Sequence, residues 1–91
     1  MSQQQHHPTP AQIRAGRALL DWSQQELAGH SGIGRRTVAA YENGGNRVMP
    51  TSVVAMKEAL ERAGIRFSGE DEPEGVHRVP ASREIPDRDV R

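Results

Sequence analysis

Two adjacent arginines, Arg35 and Arg36, open the second of two short helices that the sequence predicts on either side of a glycine turn. A guanidinium carries five N–H donors in a rigid fork, which matches the O6 and N7 acceptors of guanine in the DNA major groove. Helix stability does not explain the pair, because positive charge at a helix start opposes the helix dipole. A helix presenting both arginines to base edges is expected to read at least one G·C pair, each good contact giving about 1–3 kcal/mol of discrimination. The remaining reactive side chains point to no other chemistry. The chain has no cysteine, so disulfides, thiolate zinc sites and thiol catalysis are excluded. His6 and His7 have no third ligand nearby in the sequence. No metal, no cofactor and no catalytic site are expected, and no loop has the glycine spacing that cradles phosphate.

The elements that must hold these arginines follow from caps and periodicity. Helix one is expected from Thr9 to about Asp21, with Thr9, Pro10 and Gln12 forming a capping box. Its inner face is expected to carry Ile13, Arg17 and Leu20, with Ala18 beside them, and Gly16 leaves room for a neighbouring helix. Helix two starts at Ser23, where S-Q-Q-E forms a second capping box and Trp22 can pack over the start. Leu27 and Ala28 face inward, and Gly32 makes the turn because it tolerates positive φ. Helix three runs from Arg35 to Glu42 with Gly34 as N-cap, and Val38 and Tyr41 face the core. Helix four starts near Thr51, with Val53, Met56 and Leu60 as its apolar stripe, and Glu58 and Arg62 spaced for an i,i+4 pair. Residues 65–67 and 76–79 are candidate strands.

Ninety-one residues suit one small domain. Residues 1–8 are expected to be a disordered N-terminal tail, 9–67 the domain, and 68–91 an acidic loop, a candidate strand and a flexible C-terminal tail. A formal net charge of zero hides a split. Residues 9–67 hold eight basic against five acidic side chains, while residues 68–91 hold four arginines against seven acids. Electrostatic footprints are local, so the basic part can still meet a polyanion. No apolar run approaches the roughly 20 residues of a membrane span, and the lack of cysteine fits a reducing compartment such as the cytoplasm.

In WSQQELA at 22–28, GIGRRTV at 32–38 and YENG at 41–44, the chain resembles the lambda repressor/Cro-type (Xre-like) helix-turn-helix family. Leu27, Ala28, Gly32, Ile33, Val38 and Tyr41 fall where that family places them, and the resemblance covers roughly residues 10–65. It implies a mainly α, compact four-helix domain, here followed by a candidate C-terminal β-hairpin where a fifth helix is usual. It further implies roles: Arg35 and Arg36 as base readers, with Thr37 and Ala40 as secondary groove contacts. Gln24, Asn43, Asn46 and Arg47 become candidate phosphate contacts. Arg17 and Glu42 become a partly buried ion pair. Gly34 stands where the family often has Ser or Thr, and Asp21 stands in a turn where Gly is frequent.

The resemblance leads to a small bacterial transcriptional regulator, most simply a repressor, bound to a palindromic double-stranded DNA operator as a homodimer. Pairing doubles the bases read by so small a domain. The two candidate strands are the expected dimer contact. A second reading is an antitoxin-like protein whose charged, Pro-containing C-terminal segment folds onto a partner protein.

Overall fold

In the computed structural model, residues 7–45, 47–67 and 75–78 are described. Four helices come first, α1 (Pro10–Leu20), α2 (Gln24–Ser31), α3 (Arg35–Glu42) and α4 (Pro50–Arg62). Two strands follow, β1 (Ile65–Phe67) and β2 (Val76–Arg78). The strands pair antiparallel with Ile65 opposite Arg78 and Phe67 opposite Val76.

Helix boundaries follow the caps. Thr9 accepts from the Gln12 N–H while Gln12 reaches back to the Thr9 N–H, and Ser23 and Glu26 repeat the exchange. α1 ends on Asp21 at φ +61°, with the Asp21 N–H donating to the Ala18 carbonyl and the Trp22 N–H to that of Arg17. That closure needs a left-handed residue, and an aspartate accepts it less readily than glycine does. Gly32 makes the corresponding turn after α2 at φ +77°. α4 begins one residue earlier than its apolar pattern suggests: Pro50 is its first residue, because proline's fixed φ suits that position and its missing N–H has no helical partner there.

The core is Ile13, Leu27, Ala28, Val38, Val53, Met56, Ala59, Leu60 and Ile65, with Leu20, Trp22, Ile33, Tyr41, Phe67 and Val76 packed around it. Every helix contributes to it. α1 crosses close over α4 and β1 at Gly16, where a Cβ would lie 3.3 Å from Leu60 Cδ1 and 3.5 Å from Ile65 Cγ2. Two expectations change. Ala18 is exposed, since Gly16 and Ile13 take the inner face. The i,i+4 contact on α4 joins Lys57 to Glu61, because the Arg62 guanidinium instead donates to the His30 carbonyl at the end of α2. Trp22 lies flat against His30, ring centroids 4.0 Å apart, so it covers the flank of α2 as well as its start.

The hairpin belongs with the helices. β2 packs on α1, and Gln12 Nε2 donates to the Gly75 carbonyl at 3.2 Å. Gln12 therefore serves twice, as capping residue and as anchor for the hairpin. The expected strand 76–79 is realised over Val76–Arg78; residue 79, the acidic loop 68–74, the C-terminal segment 80–91 and tail residues 1–6 lie outside the described residues. Pro8 was expected in the tail, yet it is buried and its carbonyl accepts from the Tyr41 hydroxyl. Pro8 thus packs with the helices, because its carbonyl supplies the partner a half-buried phenol needs.

Candidate nucleic-acid interface

α2, the turn Gly32-Ile33-Gly34 and α3 form one unit, with Leu27, Ala28 and Val38 buried where it meets the core. The outer side of α3 is left uncovered. Arg35, Arg36 and Ala40 are exposed, and Thr37 and Ala39 are half-buried. Gly34 offers no side-chain cap, so nothing on the N-cap stands in front of the first turn.

The other end of α3 is held tightly. Glu42 is only 3% exposed and its carboxylate accepts from Arg17 Nε at 2.6 Å and Arg17 Nη2 at 2.7 Å. This is a bidentate fork, the geometry in which Arg and carboxylate match best. Arg17 Nη1 donates to the Trp22 carbonyl at 2.9 Å, and Gln24 Nε2 donates to Glu42 Oε1 at 3.1 Å. One buried carboxylate therefore joins α1, the start of α2 and the end of α3. Hydrogen bonding to Glu42 outweighs burial and raises the Arg17 guanidinium further above its ordinary value, so the guanidinium keeps its charge. Such a pair adds little net stability after desolvation, and what it fixes is geometry.

The helix then closes on two glycines. The Gly44 N–H donates to the Tyr41 carbonyl at 2.9 Å and the Gly45 N–H to that of Ala40 at 2.8 Å. With Gly44 at φ +87°, this is a Schellman closure. Gly45 allows no side chain, since a Cβ there would sit 2.7 Å from the Ala40 oxygen.

The sequence-derived contact residues are distributed around this unit. Gln24 is half-buried at the first position of α2. One of its two amide hydrogens is spent on Glu42, which orients the amide and leaves the other hydrogen available as a donor. Asn43 is exposed at the end of α3 and Arg47 is exposed in the segment leading to α4. Asn46 lies outside the described residues. Sequence reasoning missed Arg14. Its Nη1 donates to the Glu42 carbonyl at 2.6 Å, which places an exposed cation at the C-terminal end of α3, where the helix dipole favours it. The i,i+3 spacing of Arg14 and Arg17 was the available signal.

A two-helix unit that displays uncovered arginines on its second helix defines a DNA-binding helix-turn-helix protein. A family model described as helix-turn-helix matches residues 13–64, more than half of the chain. The chain belongs to that family, of the lambda repressor/Cro type, and is a DNA-binding transcription regulator. No curated protein matches the sequence. The family is a DNA-binding one and not one of enzymes. Among the described residues, no helix is long and apolar enough to cross a membrane.

Proposed function

We propose that this regulator is a repressor that binds a palindromic operator as a homodimer, with α3 in the major groove. The observation that carries the reading is the uncovered pair Arg35 and Arg36 on a helix whose far end is locked by Glu42. In this reading Arg35 and Arg36 contact bases, Thr37 and Ala40 line the groove beside them, and Gln24, Asn43, Asn46 and Arg47 hold phosphates. Residues 9–67 form the DNA-binding unit, and the setting is the bacterial cytoplasm. Base contacts carry sequence information and phosphate contacts carry affinity and salt dependence.

Selection of bound sequences from random DNA tests this. Wild-type protein enriches a motif with a G·C pair in each half-site, and Arg35→Ala or Arg36→Ala relaxes it at one position. Failure to enrich any motif refutes base reading. An even loss of affinity with an unchanged motif makes the arginines phosphate clamps.

The hairpin is the dimer contact in this reading, because three-residue strands leave short unpaired edges that can pair with a second copy. Sedimentation of the protein with operator DNA is expected to give two chains per duplex, and one chain per duplex at tens of micromolar rejects the dimer. The antitoxin-like alternative, in which the C-terminal segment wraps a toxin, rests on the composition of residues 80–91, and co-purification of a neighbouring gene's product is its test.

A further inference from the structure

Trp22, His30, Ala59, Arg62 and Ala63 line an open cavity of about 200 Å³ between α2 and the end of α4. None of the five lies on α3 or among the proposed DNA contacts. One wall is the Trp22 indole stacked on the His30 imidazole, with ring centroids 4.0 Å apart and planes within 1° of parallel. Ala59 and Ala63 stand one helical turn apart and carry only methyls, so they leave an apolar floor. Arg62 completes the lining. It is exposed, and its Nη2 donates to the His30 carbonyl at 3.2 Å. That bond fixes the guanidinium beside the stack and leaves most of its five N–H donors unused. Among the described residues, no carboxylate lies within ion-pair distance of it.

A flat aromatic wall and a methyl floor take a ring, and a guanidinium fork takes a carboxylate. No acidic side chain lines the cavity, so an anion is not repelled. The volume is below the roughly 300–1,000 Å³ of drug-sized sites, which limits the ligand to one ring. We propose that this cavity binds a small aromatic carboxylate, with its ring against Trp22 and His30 and its carboxylate on Arg62. A cationic ligand fits less well. The end of α2 is the negative pole of its dipole, but Arg62 already engages the His30 carbonyl there, and a second cation meets its charge. Because no lining residue is on α3, the cavity fills without covering Arg35 or Arg36.

The test uses the full chain without DNA, so its outcome is independent of how α3 reads bases. Trp22 is the sole tryptophan, and its indole N–H therefore gives a single resonance in a proton–nitrogen NMR spectrum. Benzoate should shift that resonance saturably with a midpoint of about 1 mM, an affinity within reach of a one-ring ligand. Benzyl alcohol keeps the ring and should need about tenfold more, the size of one charge-assisted hydrogen bond. Acetate and benzylamine should give no saturable shift. Arg62→Gln should raise the benzoate midpoint about tenfold and leave that of benzyl alcohol unchanged. Ala63→Leu fills the floor and should abolish saturation by both ring probes while the spectrum stays dispersed; if dispersion is lost, Arg62→Gln decides alone. A benzoate midpoint unchanged in Arg62→Gln overturns the proposal, as does a shift that never saturates. Acetate matching benzoate reduces the site to a plain anion contact, and benzylamine binding tightest reverses the charge assignment; either result overturns it.

Discussion

The two ends of α3 are built on opposite principles. The first turn has no side-chain cap and carries two exposed arginines whose charge opposes the helix dipole. The last turn holds a buried glutamate, a bidentate arginine, an amide from α2, a second arginine on its carbonyl and a double-glycine closure. A helix that must meet a foreign surface cannot be covered at the meeting end, so its orientation has to be set from the other. Because the carboxylate of Glu42 also holds Gln24, the start of α2 and the end of α3 move as one body. The proposed contacts to phosphate and to bases then share a common frame.

The largest test of this contrast removes the hub. Glu42→Ala leaves the Arg17 guanidinium without its partner and frees Gln24. Unfolding in urea should show a loss of about 3 kcal/mol, the range for a broken buried pair, and DNA binding should weaken beyond what the unfolded fraction explains. A loss below about 1 kcal/mol would mean that the anchored end is no more constrained than the free one. Next in size is Tyr41, one turn of helix from the closure. Burial raises its phenol above the ordinary value, and the hydroxyl donates to the Pro8 carbonyl. The folded state therefore holds this proton more tightly than the unfolded state. Stability is fully present below about pH 10, the unfolded value, and is lost as pH rises through the higher folded value. Tyr41 is the sole tyrosine, so an absorbance titration reads it alone. Tyr41→Phe should cost about 1 kcal/mol at neutral pH and flatten that alkaline decline. The smallest effect belongs to the free end. Gly34→Ser supplies the missing cap and should stabilise the protein by a few tenths of a kcal/mol. If the same change weakens operator binding, the uncapped first turn is serving DNA rather than the fold.

Local chemistry made much of the fold legible. Thr9 with Gln12 and Ser23 with Glu26 mark two helix starts because each box is satisfied within four residues. Gly32 marks the turn because positive φ is a property of one residue. Arg35 to Glu42 could be bounded as α3 for the same reason. The departures came from contacts between distant segments. Ala18 could not be placed outside by its spacing alone, since α1 is turned by Gly16 meeting Leu60 and Ile65. Arg62 reaches the His30 carbonyl instead of Glu58 because α2 ends beside α4. Pro8 joins the domain because Tyr41, more than thirty residues on, needs an acceptor.

For the candidate interface the division is similar. The sequence by itself determined that two arginines open a short helix after a glycine turn, and that the chain is basic over residues 9–67 and acidic beyond. Those facts depend on residue type and on spacing within a few turns. Only the tertiary structure decided that Gln24 is oriented by Glu42, that Arg14 stands at the end of α3, and that Gly45 closes against the Ala40 carbonyl. Each of these requires knowing which backbone atom of one segment faces which side chain of another. That information is set by packing around Leu27, Val38 and Leu60 and by the closure at Gly44 and Gly45, and no local pattern carries it.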